Sequence, residues 1–397
     1  MTAERFLSDY VQRLKPSGIR KFFDLAANMD DVISLGVGEP DFVTSWNVRE
    51  ASILSLEEGY TSYTSNAGLM ELREEIASYM MGRFGVGYKP DKEILVTVGA
   101  SQAIDLAMRA AVNPGEEVIV VEPSFVAYSP LVELTGGKAV PIATAAKDDF
   151  KLQPEQIEKV VTPNTKALLL CSPNNPTGSV LSAEELEAIA KIVKKHDLLV
   201  ISDEIYAELS YDEPYTSFAA IDGMRERTIV INGFSKGFAM TGWRLGYAAA
   251  PEPILQQMLK IHQYAMMCAP TMAQYGALEA LKNGMKDVEK MRTSYRRRRN
   301  YFVQSLNEIG LSCHHPGGAF YAFPSVKATG LSSEEFAERL LMEEKVAVVP
   351  GSVFGAGGEG HIRCSYASSM ENLQEAVRRM ERFIKANRLI VPKASNG

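Results

Sequence analysis

The stretch KALLLCSPNNPTGSVLSAEELEAIAKIVKKHDLLVISDE, residues 166–204, holds one full alternation of two apolar runs around an amphipathic helix. KALLLC reads as a buried strand, and NNPTG supplies turn chemistry. Ser182, followed three residues on by Glu185, reads as a capping box opening the helix SAEELEAIAKIVKKH. LLVISDE is then a second buried strand. Strand, crossover helix and strand in this order call for a parallel pair with a helix on one face.

The same grammar recurs on both sides. ILVTV (94–98) leads into GAS and the amphipathic SQAIDLAMRAAV, and EVIVVEP (117–123) leads into SFVAYSPLVEL. TIVIN (228–232) and RLGYAAA (244–250) complete the set. The fold class is therefore α/β, a large domain with a mostly parallel sheet sandwiched by helices. The N-terminal stretch and the chain beyond about residue 285 read differently, as longer charged helices with short strands such as VAVVP and HIRCSYA. They predict a smaller α+β domain, giving a division into 46–285 for the large domain and 1–45 with 286–397 for the small one. The helical PTMAQYGALEAL is a candidate bridge between them.

A chain of 397 residues with 46% hydrophobic and 23% charged residues buries a large core. Its net charge of −7 provides no field that would draw it to nucleic acid or anionic lipid, and no apolar run approaches the roughly 20 residues of a membrane span. Cys171, Cys268, Cys313 and Cys364 are scattered, and the MTAERFLSDY start has no apolar signal core. Both suit a reducing cytoplasm.

Open α/β sheets bind ligands at the carboxyl ends of their parallel strands. Polar residues gather there: Gly99, Ala100 and Ser101 after the first strand, Phe125 after the second, Asn175 after the third, Asp203 and Tyr206 at the fourth, Ser235 and Lys236 after the fifth. The VGAS turn opening a helix suits a phosphate, with a hydroxyl from Ser235 and a forked cation from Arg244. Lys236 beside such an anion site is placed to form a Schiff base with an aldehyde. Asp203, at the buried end of an apolar strand, wants a cationic partner such as a protonated ring nitrogen. These requirements together describe pyridoxal 5′-phosphate, with Asn175 and Tyr206 on its phenolic oxygen and Phe125 against its ring face.

SPNNPTG (172–178), SDEIY (202–206), and SK with TGWRLG (235–246) closely resemble the class I/II pyridoxal-phosphate-dependent aminotransferases of the aspartate aminotransferase fold, fold type I. The resemblance runs through SLGVGEPDF (34–42), YTSNAGLMELRE (63–74), GGAFYAFP (317–324) and VVPGSVFGAGGEG (348–360), covering nearly the whole chain. It implies Lys236 as cofactor lysine and general base, and Asp203 as the group that keeps the ring nitrogen protonated. Tyr206 and Asn175 fall on the phenolic oxygen, and Ala100, Ser101, Ser235 and Arg244 on the phosphate. Tyr63 reaches in from the partner subunit of a homodimer. Arg363 takes the substrate α-carboxylate, assisted by the Gly38 backbone and Asn175.

The implied reaction moves an amino group from an L-amino acid to a 2-oxo acid such as 2-oxoglutarate in a ping-pong cycle. Ser101 stands where an acidic-donor subgroup has lysine, and PSFVAYSP with GFSKGFAMTGWRLGY is closest to aromatic or broad-range members. N-acetyl-diaminopimelate, alanine, aspartate and branched-chain donors stay open, as do a β-lyase and, outside enzymes, a ligand-sensing regulator. GAGGEG (355–360) matches a dinucleotide pattern without the strand and helix it requires. The adjacent Cys313, His314 and His315 converge poorly on one ion, so no metal is expected. RRRR (296–299) steps around a helix and reads as solvated, pairing with nearby acids.

Overall fold

The structure is a computed structural model and describes residues 3–14, 16, 18 and 29–387. Those parts of the expected small domain at 1–2, 15, 17, 19–28 and 388–397 lie outside the described residues. In chain order the elements that build the site are β1 (Ile33–Ser34), α1 (Trp46–Glu57), α2 (Met70–Phe84), β2 (Ile94–Thr97), α3 (Gly99–Ala111), β3 (Glu117–Glu122), α4 (Tyr128–Glu133), β4 (Lys138–Ala143), α5 (Pro154–Val160) and β5 (Thr165–Cys171). They continue with α6 (Ala183–Lys195), β6 (Leu199–Asp203), β7 (Thr228–Gly233), β8 (Gly246–Ala249), α7 (Glu252–Ala265), α8 (Thr271–Asn283) and α9 (Met285–Glu308). After these come β9 (Tyr321–Ala322), α10 (Ser333–Glu344), β10 (Val346–Ala347), β11 (Val349–Pro350), β12 (Ile362–Ser365) and α11 (Met370–Ala386).

Seven strands form the main sheet in the order β2-β8-β7-β6-β5-β3-β4. Only β8 runs against its neighbours, so the sheet is mostly parallel, as fold type I requires. β2, β7 and β8 are buried along their whole length and β6 along nearly all of it, because helices cover both faces. On one face α3 and α7 pack Ile104, Ala107, Leu255 and Met258 over Leu95, Val118, Ile201 and Ile229. On the other, α5 and α6 pack Ile157, Leu186, Ile189 and Val193 over Leu168, Leu170 and Val200. Cys171 of β5 lies in register with Asp203 of β6, which brings two strand ends together at the centre of the sheet.

The C-terminal region has its own sheets: β1 pairs with β10 in parallel, and β12 stands between β11 and β9. Phe336 and Leu340 of α10 and Leu373, Met380 and Phe383 of α11 cover them. The same apolar cluster takes in Ile205, Tyr206 and Leu209 just beyond β6, so the small sheets pack directly against the strand ends of the large one. PTMAQYGALEAL does not make the bridge; α8 packs with α1 and α2 around Val48, Leu72, Ile76 and Ala277. The crossing element is the 24-residue α9.

Helix α9 also revises the reading of the four arginines. Val288, Met291, Tyr295, Arg299, Phe302 and Leu306 form its buried stripe, and a 3.6-residue period carries Arg299 into it while Arg296 and Arg297 face out. Arg299, with 1% of its side chain exposed, is clamped by Asp212 at 2.6 and 3.0 Å and by the Pro316 carbonyl at 2.9 Å. Only part of the run is solvated.

The capping box at α6 forms as its sequence specifies: Ser182 Oγ accepts from Glu185 N–H at 3.2 Å, and Glu185 accepts from Ser182 N–H at 2.7 Å. Ser182→Ala removes one of these two bonds and should cost about 1 kcal/mol. A denaturant midpoint that does not move would show that tertiary packing alone sets this helix start.

Candidate active site

Four of the parallel strands, the α3 turn after β2 and the small sheets deliver side chains into one cavity of about 270 Å³. It is lined by every cofactor or substrate residue expected from the sequence except Tyr63: Gly38, Ala100, Ser101, Phe125, Asn175, Asp203, Tyr206, Ser235, Lys236, Arg244 and Arg363. Tyr63 is 77% exposed and borders a separate groove with Met266, Cys268 and Pro270. It is therefore outside the cavity of its own chain.

Asp203 is buried at the tip of β6. Tyr128 O–H donates to its Oδ2 at 2.6 Å and Ile205 N–H to its Oδ1 at 3.2 Å. Burial raises the carboxyl pKa, and the Tyr128 and Ile205 donors and the charge of Lys236 oppose that rise. Tyr206 and Tyr321 share a hydroxyl hydrogen bond at 2.9 Å. Burial holds the Tyr206 phenol far above its ordinary range, so it stays a neutral donor.

Lys236 follows β7 on a turn between two sheet strands. Its Nζ donates to the Gly38 carbonyl at 2.6 Å. Desolvation first, then the cations Arg363 and Arg244, push its amine down to about 8. A lysine in water stays protonated well above that; here about a tenth of the amine is neutral and nucleophilic at pH 7.

Arg363, on β12 and buried, donates to Asn175 Oδ1 at 2.9 Å and to the Gly36 carbonyl at 2.7 Å. Its guanidinium carbon sits 4.5 Å from the Tyr321 ring centroid and 4.9 Å from that of Phe354. Its Nε is buried and has no hydrogen-bond partner among the described residues. A buried unpaired guanidinium N–H is costly, so the group is set up to receive an acid.

At the mouth of the α3 turn, Gly99 has φ +78°, and a Cβ there would come within 2.7 Å of Arg244 Nη2. Only glycine lets the arginine lie over the helix N-terminus. Gln102 accepts from Val98 N–H at 2.6 Å and holds this turn. Backbone N–H groups, a guanidinium and the buried Ser235 hydroxyl thus converge, a donor set that suits a phosphate dianion.

Sequence reading left Tyr128 and Tyr321 without roles. Both lie inside motifs that were quoted, PSFVAYSP and GGAFYAFP, but a phenol that packs and a phenol that donates look alike in sequence. Among the described residues Cys313, His314 and His315 belong to no group of three or more metal-ligating side chains; His314 is packed against Phe150, 5.2 Å between centroids.

A family model described as Aminotransferase class I and II matches residues 30–380. YugH of Bacillus subtilis, itself only provisionally named an aminotransferase, is 71% identical over 96% of this chain and 98% of its own length. An aspartate aminotransferase of Pyrococcus abyssi is 50% identical over 96% of this chain and 99% of its own. Among solved structures, an aromatic aminotransferase from Pyrococcus horikoshii superposes with a TM-score of 0.90 at 48% identity, covering 94% of this chain and 100% of that one. The chain belongs to the class I and II aminotransferases, enzymes that depend on pyridoxal phosphate.

Proposed function

We propose that this aminotransferase takes the amino group of an L-amino acid, with aromatic or broad-range donors preferred, and passes it to a 2-oxo acid such as 2-oxoglutarate in two half-reactions. One observation carries this reading: a lysine amine lowered to about 8 lines one cavity with a buried carboxylate, Asp203, and an arginine, Arg363, that has an unpaired buried N–H.

The residues present fit the cofactor. The Gly99 turn, Ser235 and Arg244 would hold its phosphate, Asp203 its ring nitrogen, Asn175 and Tyr206 its phenolic oxygen, and Phe125 one face of its ring. When bound, pyridoxal phosphate supplies an aldehyde that amines can join and a ring that takes up electron density from the substrate α-carbon. The rest is work for the chain. Asp203 would face a protonated ring nitrogen, with the Tyr128 hydroxyl donating to its carboxyl group. Arg363 takes the donor carboxylate on its free Nε and the face that Asn175 leaves open, fixing the α-carbon near Lys236. Lys236 Nζ would accept the proton from the α-carbon and return it to the carbon on the far side of the amino nitrogen, a 1,3-shift between two carbons.

Three cations line the cavity, Lys236, Arg244 and Arg363. Each already has work to do, and Ile104, Phe125, Tyr128, Ile205 and Tyr321 fill much of the remaining wall. That supports an apolar donor side chain over a second carboxylate. The named relatives include both aspartate and aromatic aminotransferases, so donor choice rests on the wall and not on kinship. We further propose a homodimer in which Tyr63 completes the partner's phosphate site, acting in the cytoplasm, in keeping with four unpaired cysteines.

Adding L-phenylalanine without any oxo acid should bleach the yellow absorption of the holoenzyme and raise a near-ultraviolet band; an unchanged yellow spectrum would discard aromatic donors. Lys236→Ala should lose turnover, and measurable turnover would take the lysine out of the chemistry. The rate at which apoprotein captures cofactor should climb about tenfold per pH unit below pH 8 and level off above it. Arg363→Ala removes a neighbouring positive charge, raises the amine pKa and should push that plateau to higher pH; a plateau that stays put would exclude Arg363 from tuning the amine. Tyr128→Phe deletes a hydrogen bond to a buried charge, worth about 1.5–3 kcal/mol. Cofactor retention should weaken roughly 10- to 100-fold, and unaltered retention would leave Tyr128 a packing residue.

A further inference from the structure

Residues 36–44 form neither helix nor strand, and Gly38 brings this segment to the cavity wall. Lacking a ladder, this strap is held in place by a few separate contacts. Gly36 O accepts from Arg363 and Gly38 O from Lys236. Glu39 accepts from Thr241 Oγ at 2.9 Å, and Thr44 Oγ donates to the Ala239 carbonyl at 2.6 Å. Asp41 makes the ion-paired attachment: Arg298 Nη1 lies 2.8 Å from both of its oxygens, and Tyr295 O–H donates to Oδ1 at 3.2 Å. Arg298 also sits over the Phe42 and Tyr295 rings, 5.4 and 5.6 Å from their centroids, and those rings meet edge to face. The Arg298 side chain is 14% exposed and that of Asp41 29%, so the pair sits at the edge of solvent with its cation packed against the two rings.

These attachments are not equivalent. On the function proposed above, on which this inference rests, Lys236 must leave Gly38 whenever it takes up its proton work. The strap then depends on its remaining attachments, and Asp41 provides the one that reaches α9. Among the described residues, Gly36 is one of two acceptors that orient the Arg363 fork. If the strap drifts, the guanidinium loses half of its alignment.

We infer that the Asp41–Arg298 ion pair is a positioning latch: by anchoring the strap to α9 it fixes Gly36 against Arg363 and thereby sets the affinity for the donor carboxylate. It acts through the backbone and touches neither substrate nor cofactor. It therefore bears equally on every donor, whatever its side chain.

Binding can be measured without turnover, using 3-phenylpropanoate, a carboxylate with no amino group, titrated into holoenzyme by calorimetry. The strap also has a built-in reporter, since the chain's two tryptophans flank its end: Trp46 begins α1, and Trp243 Nε1 donates to Thr44 at 3.1 Å. Asp41→Asn and Arg298→Met should each weaken the probe about tenfold. They should raise KM for phenylalanine and for other donors alike, leave kcat within about twofold, leave cofactor affinity unchanged and shift the tryptophan emission. The double variant should lose no more than either single one. Arg298→Lys, which keeps the charge and loses the fork, should fall between and serves if the other variants do not fold. Probe affinity within twofold of wild type in a folded variant, or losses that simply add in the double variant, would overturn the latch. The spectral half-reaction of the wild type stands apart: a wild type that transaminates beside an Asp41→Asn protein with undiminished probe binding refutes the latch alone.

Discussion

An ionised carboxylate at the inner end of a buried strand costs several kcal/mol unless donors surround it, and the rest of the site is arranged around meeting that demand at Asp203. Tyr128 and the Ile205 amide meet it from the protein side. A cationic ring nitrogen meets it from the ligand side. The sheet order makes this possible, because β6 lies at the middle of seven strands and its tip is buried. A carboxylate on an edge strand would be solvated and would exert little pull on a ring.

The lysine follows from the same dryness with the opposite sign. Taking Asp203 out of water favours its neutral form, and so does taking Lys236 out; for an acid that raises the pKa and for an amine it lowers it. Arg363 and Arg244 push the amine further in the same direction. One low-dielectric cavity therefore yields two useful groups, provided that the acid has its donors and the amine does not gain an ion-pair partner that would restore its proton.

Much of this was legible in the sequence because strand ends are local signals. A β-branched run closed by a turn residue marks where a side chain enters the crevice: Asp203 ends such a run, and Asn175, Ser235 and Lys236 follow one within four positions. The capping box at Ser182 is equally local. Tyr128, Tyr321, Arg298 and Arg299 were not legible, since their partners lie 75, 115, 257 and 87 residues away. A run of four arginines looks uniform until a helix of known register separates the exposed Arg296 and Arg297 from Arg298 and Arg299, which are drawn inward onto Asp41 and Asp212. The bridging helix was misplaced for a related reason: α8 and α9 are adjacent and both amphipathic, and only packing against α1 distinguishes the one that stays with the large sheet.

Helix α9 makes the two sides of the crevice a single mechanical unit. Arg298 holds Asp41 on the strap, while the next residue, Arg299, holds Asp212 just beyond Tyr206 and the Pro316 carbonyl ahead of Tyr321. Neighbouring residues on a helix point about 100° apart, so one rigid rod grips the strap with one side chain and the tyrosine pair with the other. The Gly36 contact to Arg363 and the Tyr206–Tyr321 hydroxyl bond are thereby referred to the same axis. A shift of α9 relative to the main sheet would move the carboxylate anchor and the phenolic-oxygen donor together, and would leave the phosphate turn on α3 where it is.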